Sequence, residues 1–300
     1  MKIAPLDNRT ILTLSGADVR PFLQNLITND MDKVSDTRAI YAALLTAQGK
    51  FLHDFIVVKR GADFLLDCAR DRKDDLIRRL TMYKLRADVT IAENGEHVFA
   101  LFSDGAAKAA GLPEEAGAVR AEKSSLVMID PRLAAIGVRV IADEGFDPKA
   151  DFLSAKEVTD ESYEAHRLAL GIPEGGTDIL PEKNFLLEAN FEELNGVSFA
   201  KGCYVGQELT ARTKHRAKIK KRLYQINFDG NLSAGDKITC GEKEVAEVRS
   251  FSNGHGLALV RLESFAESEE EELKPAGVRL SEPEYLTSPA PTARTSVPTS

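Results

Sequence analysis

The first strong periodicity in the chain is helical. Val19, Phe22, Leu23, Leu26 and Ile27 recur at 3.6-residue spacing after Ser15-Gly16-Ala17-Asp18, which reads as a capping-box start with Asp in place of Glu. Pro21 falls in the first turn, where its missing N–H is tolerated. Apolar runs at 39–45 and 51–59 flank Gln48-Gly49-Lys50, a hairpin turn by composition, and 64–69 adds a third strand. Residues 71–86 return to the helical period, with Leu76, Ile77, Leu80 and Tyr83 on one face. Short strands are expected at 88–91 and 98–101, then a short helix at 106–111 and a surface connection over 112–125. Strands at 126–129 and 136–141 and a helix at 161–170, ended by Gly171, complete this part. The polar stretch 174–184 shows no period, and irregular segments of that length tend to be functional or mobile.

From Arg222 the texture changes. Short strands at 223–228, 236–240, 244–251 and 256–261 alternate with Gly and Asn turns, the pattern of a small all-β barrel or sandwich. The end differs again: five glutamates fall within 267–272, and 283–300 is mostly Pro, Ser, Thr and Ala. Such a stretch buries too little apolar surface to offset its ordering entropy, so residues 266–300 are expected to be disordered. Strands interleaved with helices make the rest an α+β protein.

Length and composition set outer limits. Three hundred residues are enough for about two domains and a real core. A hydrophobic content of 43% and a charged content of 29% are those of a soluble globular chain. A net charge of −8 argues against general nucleic-acid binding and against a basic membrane-surface protein. No run reaches the length of a transmembrane helix, and Met1-Lys2-Ile3-Ala4-Pro5 lacks the apolar core of a secretory signal; a cytoplasmic protein is expected. The three cysteines, Cys68, Cys203 and Cys240, form no CxxC, which excludes a disulfide framework, a thiolate zinc site and a cluster held by this chain alone. The histidines (His53, His97, His166, His215, His255) follow no metal-ligand spacing, and no metal site is expected.

Charge is uneven. Between Lys201 and Arg222 eight basic residues face one carboxylate, Glu208. An electropositive rim for an anionic ligand or partner is one reading; a lysine-protected strand edge is the other. The cluster begins directly after Lys201-Gly202-Cys203-Tyr204-Val205-Gly206-Gln207-Glu208. Here a thiol sits between two glycines, which let main chain approach closely, with an ammonium two residues away that favours the thiolate. A tight turn with a small buried cysteine is the alternative.

The stretch from Asn195 to Arg212, continued by Thr213 and later by Lys221-Arg222-Leu223, resembles the signature of the YgfZ family, on the branch that holds the mitochondrial cluster-assembly member. These are folate-binding proteins that assist iron–sulfur cluster assembly. Phe22-Leu23-Gln24-Asn25-Leu26-Ile27-Thr28-Asn29-Asp30, the hairpin at 44–58 with Asp54, and Arg167-Leu168-Ala169-Leu170-Gly171-Ile172-Pro173 are similar to the wider aminomethyltransferase superfamily, which includes the glycine-cleavage T-protein. The resemblance covers about 1–262.

It implies a three-lobed ring of the T-protein type around a central channel, with a C-terminal β-barrel lobe. The division expected is a T-protein-like region of two lobes over 1–215, possibly discontinuous, a barrel over 216–265, and the tail. It implies a tetrahydrofolate or a derivative in the channel and a role in maturing four-iron proteins, with carrier or scaffold proteins and client enzymes as partners. An aminomethyl- or one-carbon transferase is the alternative. His53-Asp54 stands where the T-protein has two aspartates, one catalytic, which argues against true aminomethyl transfer.

On this basis Cys203, Lys201 and Asp54 are the candidate catalytic residues. Glu188 and Asn190 are candidate pterin contacts, because carboxylate and amide match the donors of a pterin edge. Tyr204 is expected to stack on the ligand or close the loop, Gln207 to bond neighbouring groups, and Arg212 to meet the glutamate tail. Cys203 has three possible roles: nucleophile or redox thiol, transient iron or sulfur contact, or a wall of the pocket. Cys68 is expected in the core and Cys240 in a structural place.

Overall fold

A computed structural model describes residues 1–122, 125–148, 152, 154–216 and 219–287. Three sheets build three lobes. The first begins with β1 (Lys2–Pro5). The chain then leaves it to make all of the second sheet: β2 (Arg9–Ser15), α1 (Val19–Gln24), β3 (Ile40–Leu45), β4 (Phe51–Arg60), β5 (Asp63–Ala69), α2 (Lys73–Lys84) and β6 (Thr90–Glu93). It returns to the first with β7 (His97–Phe102), α3 (Ala106–Ala109), β8 (Val119–Ala121), β9 (Ser125–Ile129), β10 (Val138–Ala142) and β11 (Lys156–Glu157). The first sheet runs β11-β1-β7-β10-β9-β8 and the second β3-β4-β5-β2-β6, so the second lobe is an insertion in the first. Helix α4 (Asp160–Ala169) and the irregular stretch after it lead to α5 (Gln207–Arg216) and the third lobe.

Both faces of the second sheet are apolar, which explains why its strands read as near-continuous hydrophobic runs. Leu12, Leu14, Ile40, Ala42, Leu44, Phe55 and Val57 point to α1 and α2 and pack with Phe22, Leu23, Leu76 and Leu80. Ile11, Tyr41, Ala43, Leu45, Ile56 and Val58 point the other way, onto Ala100, Phe102, Leu126, Met128 and Ile141 of the first sheet. The period-2 alternation therefore divides each strand between two cores. It also sends neighbours apart: His53 faces α2, where it meets Asp75 at 2.8 Å, while Asp54 lies in register with Ala43 and faces the first sheet.

Charges cross this junction. Arg9 Nε donates to Asp67 Oδ1 at 2.7 Å, and Arg139 joins Asp67 (2.8 Å) to Asp130 (2.9 Å). Arg132 grips Asp130 with Nε at 3.0 Å and Nη2 at 2.8 Å, and both Arg132 and Arg139 reach the Tyr163 hydroxyl of α4. Asp67 and Asp130 are wholly buried. The network ties the first two lobes together with each carboxylate satisfied by guanidinium donors.

The third lobe is a six-stranded antiparallel sheet wrapped on its own core. It consists of β12 (Lys221–Asn227), β13 (Lys237–Cys240), β14 (Lys243–Ser252), β15 (His255–Arg261), β16 (Leu273–Lys274) and β17 (Arg279–Ser281). Bulges at Ile238/Thr239 and Val248/Ser250 bend it. The expectation that the chain is disordered from 266 is corrected: β17 pairs with β12, β16 pairs with β13, and Leu273, Val278 and Leu280 fill the lobe's core. After β15, α6 (Leu262–Ala266) intervenes, and α7 (Glu284–Thr287) closes the described chain; residues 288–300 lie outside it. Asp178, held by Arg167 at 2.8 Å, accepts from Ser250, and Tyr285 donates to the Gly171 carbonyl at 2.8 Å, pinning the lobe to α4. No helix of the described residues is long and apolar enough to cross a membrane.

Helix α1 differs from its expectation at both ends. Asp18 makes no side-chain cap; its carboxylate accepts from the Asp88 N–H at 2.9 Å instead. The helix stops at Gln24, three residues before Ile27, and the carbonyls of Gln24, Asn25 and Ile27 accept from Lys201 and Val205 of the Cys203 loop.

Candidate functional site

The segments 22–30 and 195–206 come together. Thr28 Oγ1 donates to the Gly196 carbonyl at 2.6 Å, and the Ser198 N–H donates to the Thr28 carbonyl at 3.0 Å. Asn29 Nδ2 bridges the carbonyls of Tyr41 (2.8 Å) and Asn195 (2.7 Å). Lys201 is the main anchor. Its buried ammonium donates to the carbonyls of Gln24 (2.7 Å), Ile27 (2.7 Å) and Asn29 (2.8 Å) and lies 5.1 Å from the Tyr204 ring centroid. Those are all three of its donors. Burial pulls its pKa down to about 8 against the opposing pull of Asp30 and Asp32. Lys201, expected to serve the Cys203 thiol, thus commits its protons to main chain. Lys201→Met strands three carbonyls and is expected to lower stability by about 2 kcal/mol and to speed amide exchange over 201–206, read by thermal melts and exchange mass spectrometry.

Beyond the thiol the loop is fastened again. The Val205 N–H donates to the Asn25 carbonyl at 3.3 Å, and Tyr204 is buried, which pushes its phenol up to about 12. Gly206 has φ +82°, and a Cβ there would stand 2.5 Å from the Thr46 carbonyl oxygen at the β3–β4 turn. Gly206→Ala is expected to cost about 2 kcal/mol and to lift the loop from the hairpin, measured by denaturant titration. Between these fastenings Gly202 and Cys203 are exposed, and a Cβ on Gly202 would meet nothing within 4 Å. An accessible thiol thus stands on a short span held at both ends. Cys68 is buried in β5 with its thiol pushed up to about 12, and Cys240 bonds Glu272 at 3.3 Å.

The other expected residues are not gathered around Cys203. Glu188 closes its own 3-10 turn, accepting from the Phe185 N–H at 3.0 Å and from Asn184 Nδ2 at 3.4 Å. Asn190 uses its whole amide to hold the third lobe: Nδ2 meets the Leu223 carbonyl (3.0 Å) and the Tyr285 hydroxyl (3.1 Å), and Oδ1 accepts from Arg222 (2.7 Å). Gln207 opens α5, its N–H on the Tyr204 carbonyl at 3.2 Å. Arg212 is exposed and pairs with Glu208 at 2.6 Å. Asp54 is buried, accepts from the Tyr41 hydroxyl at 2.8 Å, and stands so close to Gly175 that a Cβ there would collide with it. The basic run is not a bare rim either: Lys214 pairs with Glu192 and Arg222 with Glu193, two carboxylates that precede the run in sequence.

Two cavities bear on ligand binding. One, of about 210 Å3, opens where the lobes meet, between Leu6 and Asn8, the Asp160, Glu161, Tyr163 and Glu164 side of α4, Glu174, and Ser252 of β14. The other, a cleft of about 370 Å3, lies between α1 and the end of α2, lined by Asp18, Pro21, Phe22, Asn25, Leu26, Tyr83, Lys84 and Ala87. None of Glu188, Asn190, Tyr204, Gln207, Arg212, Asp54 or Cys203 lines either one. Of the residues expected to hold a tetrahydrofolate, Glu188, Asn190 and Arg212 are bonded within the chain, whereas the buried Tyr204 hydroxyl has no hydrogen-bond partner. Sequence reasoning missed Tyr41, which partners Asp54 and stacks on Phe191 at 4.9 Å; its register with the hairpin was the available signal. It also missed Glu192 and Glu193, for which no local signal exists.

Known proteins share both sequence and fold. The family model described as CAF17, C-terminal beta-barrel domain, matches residues 220–287. The human mitochondrial iron–sulfur cluster assembly factor IBA57 is 35% identical over 277 residues, 85% of this chain and 76% of that protein. The mouse factor is 33% identical over 282 residues, covering 86% and 77%, and the Neurospora crassa homolog 34% over 234, covering 74% and 52%. The crystal structure of glycine cleavage system aminomethyltransferase T from Bartonella henselae superposes with a TM-score of 0.76 over 95% of this chain and 86% of that one, at 14% identity, a likeness of fold. The cytoplasmic placement is overturned: these curated relatives are mitochondrial proteins. The feature behind that expectation, the lack of a secretory core, bears on secretion alone.

Proposed function

This chain belongs to the family of the iron–sulfur cluster assembly factors IBA57, within the wider YgfZ group, and from that membership we propose that Cys203 is the point where it touches its cargo. In this reading the chain works in the maturation of four-iron proteins, between a cluster carrier or scaffold and the client enzyme. Cys203 gives up its thiol proton and lends one thiolate to iron while the cluster changes hosts. Clusters take about four thiolates, so the others come from the partners. One observation carries the proposal: Cys203 is an exposed thiol between two buried anchors, Lys201 and Tyr204. A purely structural cysteine has no need of that presentation.

No step is routed through a tetrahydrofolate, since Glu188, Asn190 and Arg212 are bonded to other groups of the chain. In the transferase alternative the carboxylate is Asp54, which accepts from the Tyr41 hydroxyl and packs against Gly175, the neighbour of the cavity-lining Glu174. The test is complementation of cells deprived of this chain. The wild-type gene is expected to restore four-iron enzyme activity while two-iron enzymes stay unaffected throughout. Equal four-iron activity with and without the gene would sink the proposal.

A further inference from the structure

The cleft between α1 and α2 shares a wall with the Cys203 loop. Asn25 lines the cleft, and its carbonyl holds the Val205 N–H; Gln24, next to it, receives Lys201. On the cleft's far side the end of α2 presents Met82 (65% exposed), Tyr83 (45%) and Leu85 (87%) to solvent. Three large apolar side chains in four positions form a patch, not scattered singles.

Leu85 makes the patch harder to dismiss. It ends α2 with φ 48° and ψ −107°, a conformation close to the first central residue of a type II′ turn, where glycine dominates. Leucine there is strained and gains almost nothing from burial within the chain. Glycine would serve the turn better, so the side chain has another use. Lys84 and Arg86 flank it, and neither has an ion pair among the described residues.

We infer that this apolar and basic ridge, with the cleft behind it, is the docking surface for the protein that exchanges the cluster with Cys203. The inference rests on the Cys203 reading. The partner it fits offers an aliphatic or aromatic contact ringed by carboxylates, within reach of its own cluster thiolates. Continuity selects this occupant over a second copy of the chain, because Asn25 both lines the cleft and fastens the Cys203 loop, so that one protein engages both. Charge selects against a lipid surface, since Lys84 and Arg86 stand beside Asp18 and Asp88 on a chain of net charge −8.

The test uses the full chain in cells that depend on it, with partners trapped through Cys203 as mixed disulfides and identified by mass spectrometry and cluster content. Leu85→Lys is expected to hold Tm within about 3 °C and to reduce trapped cluster protein about tenfold or more. Leu85→Gly relieves the turn; it is expected to raise Tm and to produce the same loss of trapping, which separates docking from folding. Undiminished trapping in both variants overturns the docking surface and leaves Cys203 standing. A wild-type dimer that Leu85→Lys dissociates, or vesicle binding that it abolishes, with trapping intact, overturns it in favour of a second copy or a membrane. If wild-type Cys203 traps no cluster protein at all, the reading of Cys203 fails and the docking surface with it.

Discussion

Cys203→Ser is expected to reduce four-iron enzyme activity to the level of cells without the gene while leaving the fold untouched. The side chain is exposed and makes no packing contribution, so Tm should shift by about 1–2 °C at most. Oxygen for sulfur removes the soft ligand that iron prefers at such sites, and serine does not deprotonate in its place. The other cysteines provide the contrast. Cys68→Ser puts a hydroxyl into the core of β5 and is expected to destabilise by about 1–3 kcal/mol, yet to support four-iron enzymes at permissive temperature. Cys240→Ser should change neither quantity. A Cys203→Ser chain that complements fully removes the thiol from the mechanism.

Asp130→Ala is expected to be the most destabilising of the single substitutions considered. It leaves Arg132 and Arg139, both buried, without their shared carboxylate. Breaking a buried pair from one side costs about 3–5 kcal/mol, and for a chain of this size that is a fall in Tm of roughly 10 °C. The effect depends on pH with a definite sign. Burial alone would raise the Asp130 pKa, but the Arg132 and Arg139 guanidiniums overcome it and hold the carboxyl far below the ordinary carboxylate range. A depressed folded value means that the carboxylate's contribution is complete above the unfolded value, about 3.9, and drains away as pH drops beneath it. The gap between wild type and variant in urea melts should therefore be constant from pH 7 to about 5 and narrow below about 4. A gap that stays constant into acid would assign the loss to packing instead.

The elements that were legible in the sequence are those whose signal is local. The hairpin of β3 and β4 announced itself through two apolar runs and a Gly49 turn, and β12 to β15 through alternation between Gly and Asn turns. The last two strands were not legible because each is two or three residues long and contributes a single buried side chain, Leu273 or Leu280. No window of composition registers that, and the glutamates around them dominate the average. The end of α1 was misjudged for a related reason. Its apolar period continues to Ile27, but the carbonyls there are claimed by Lys201, 174 residues further on.

The candidate site divides the same way. Glycines on either side of a thiol mark the Cys203 loop, and the structure presents that thiol to solvent. Glu188 and Asn190 looked available because their partners are not visible nearby in sequence: Asn190 is satisfied by Leu223 and Tyr285, 33 and 95 positions away. The positive run from Lys201 to Arg222 is a property of the string, and Glu192 and Glu193 neutralise part of it only once the chain is folded.

Inserting one sheet inside another has a consequence for synthesis. The strand Lys2–Pro5 is synthesised ahead of the inserted sheet but hydrogen-bonds to His97–Phe102, and translation takes roughly 5–20 s to supply that partner. The inserted sheet has every strand by Glu93, so its closure precedes the docking of Lys2–Pro5. For that interval the nascent chain carries a short unpaired ribbon with Ile3 uncovered. Ribosome-bound chaperones have their natural client there, before any cofactor or cargo is at hand.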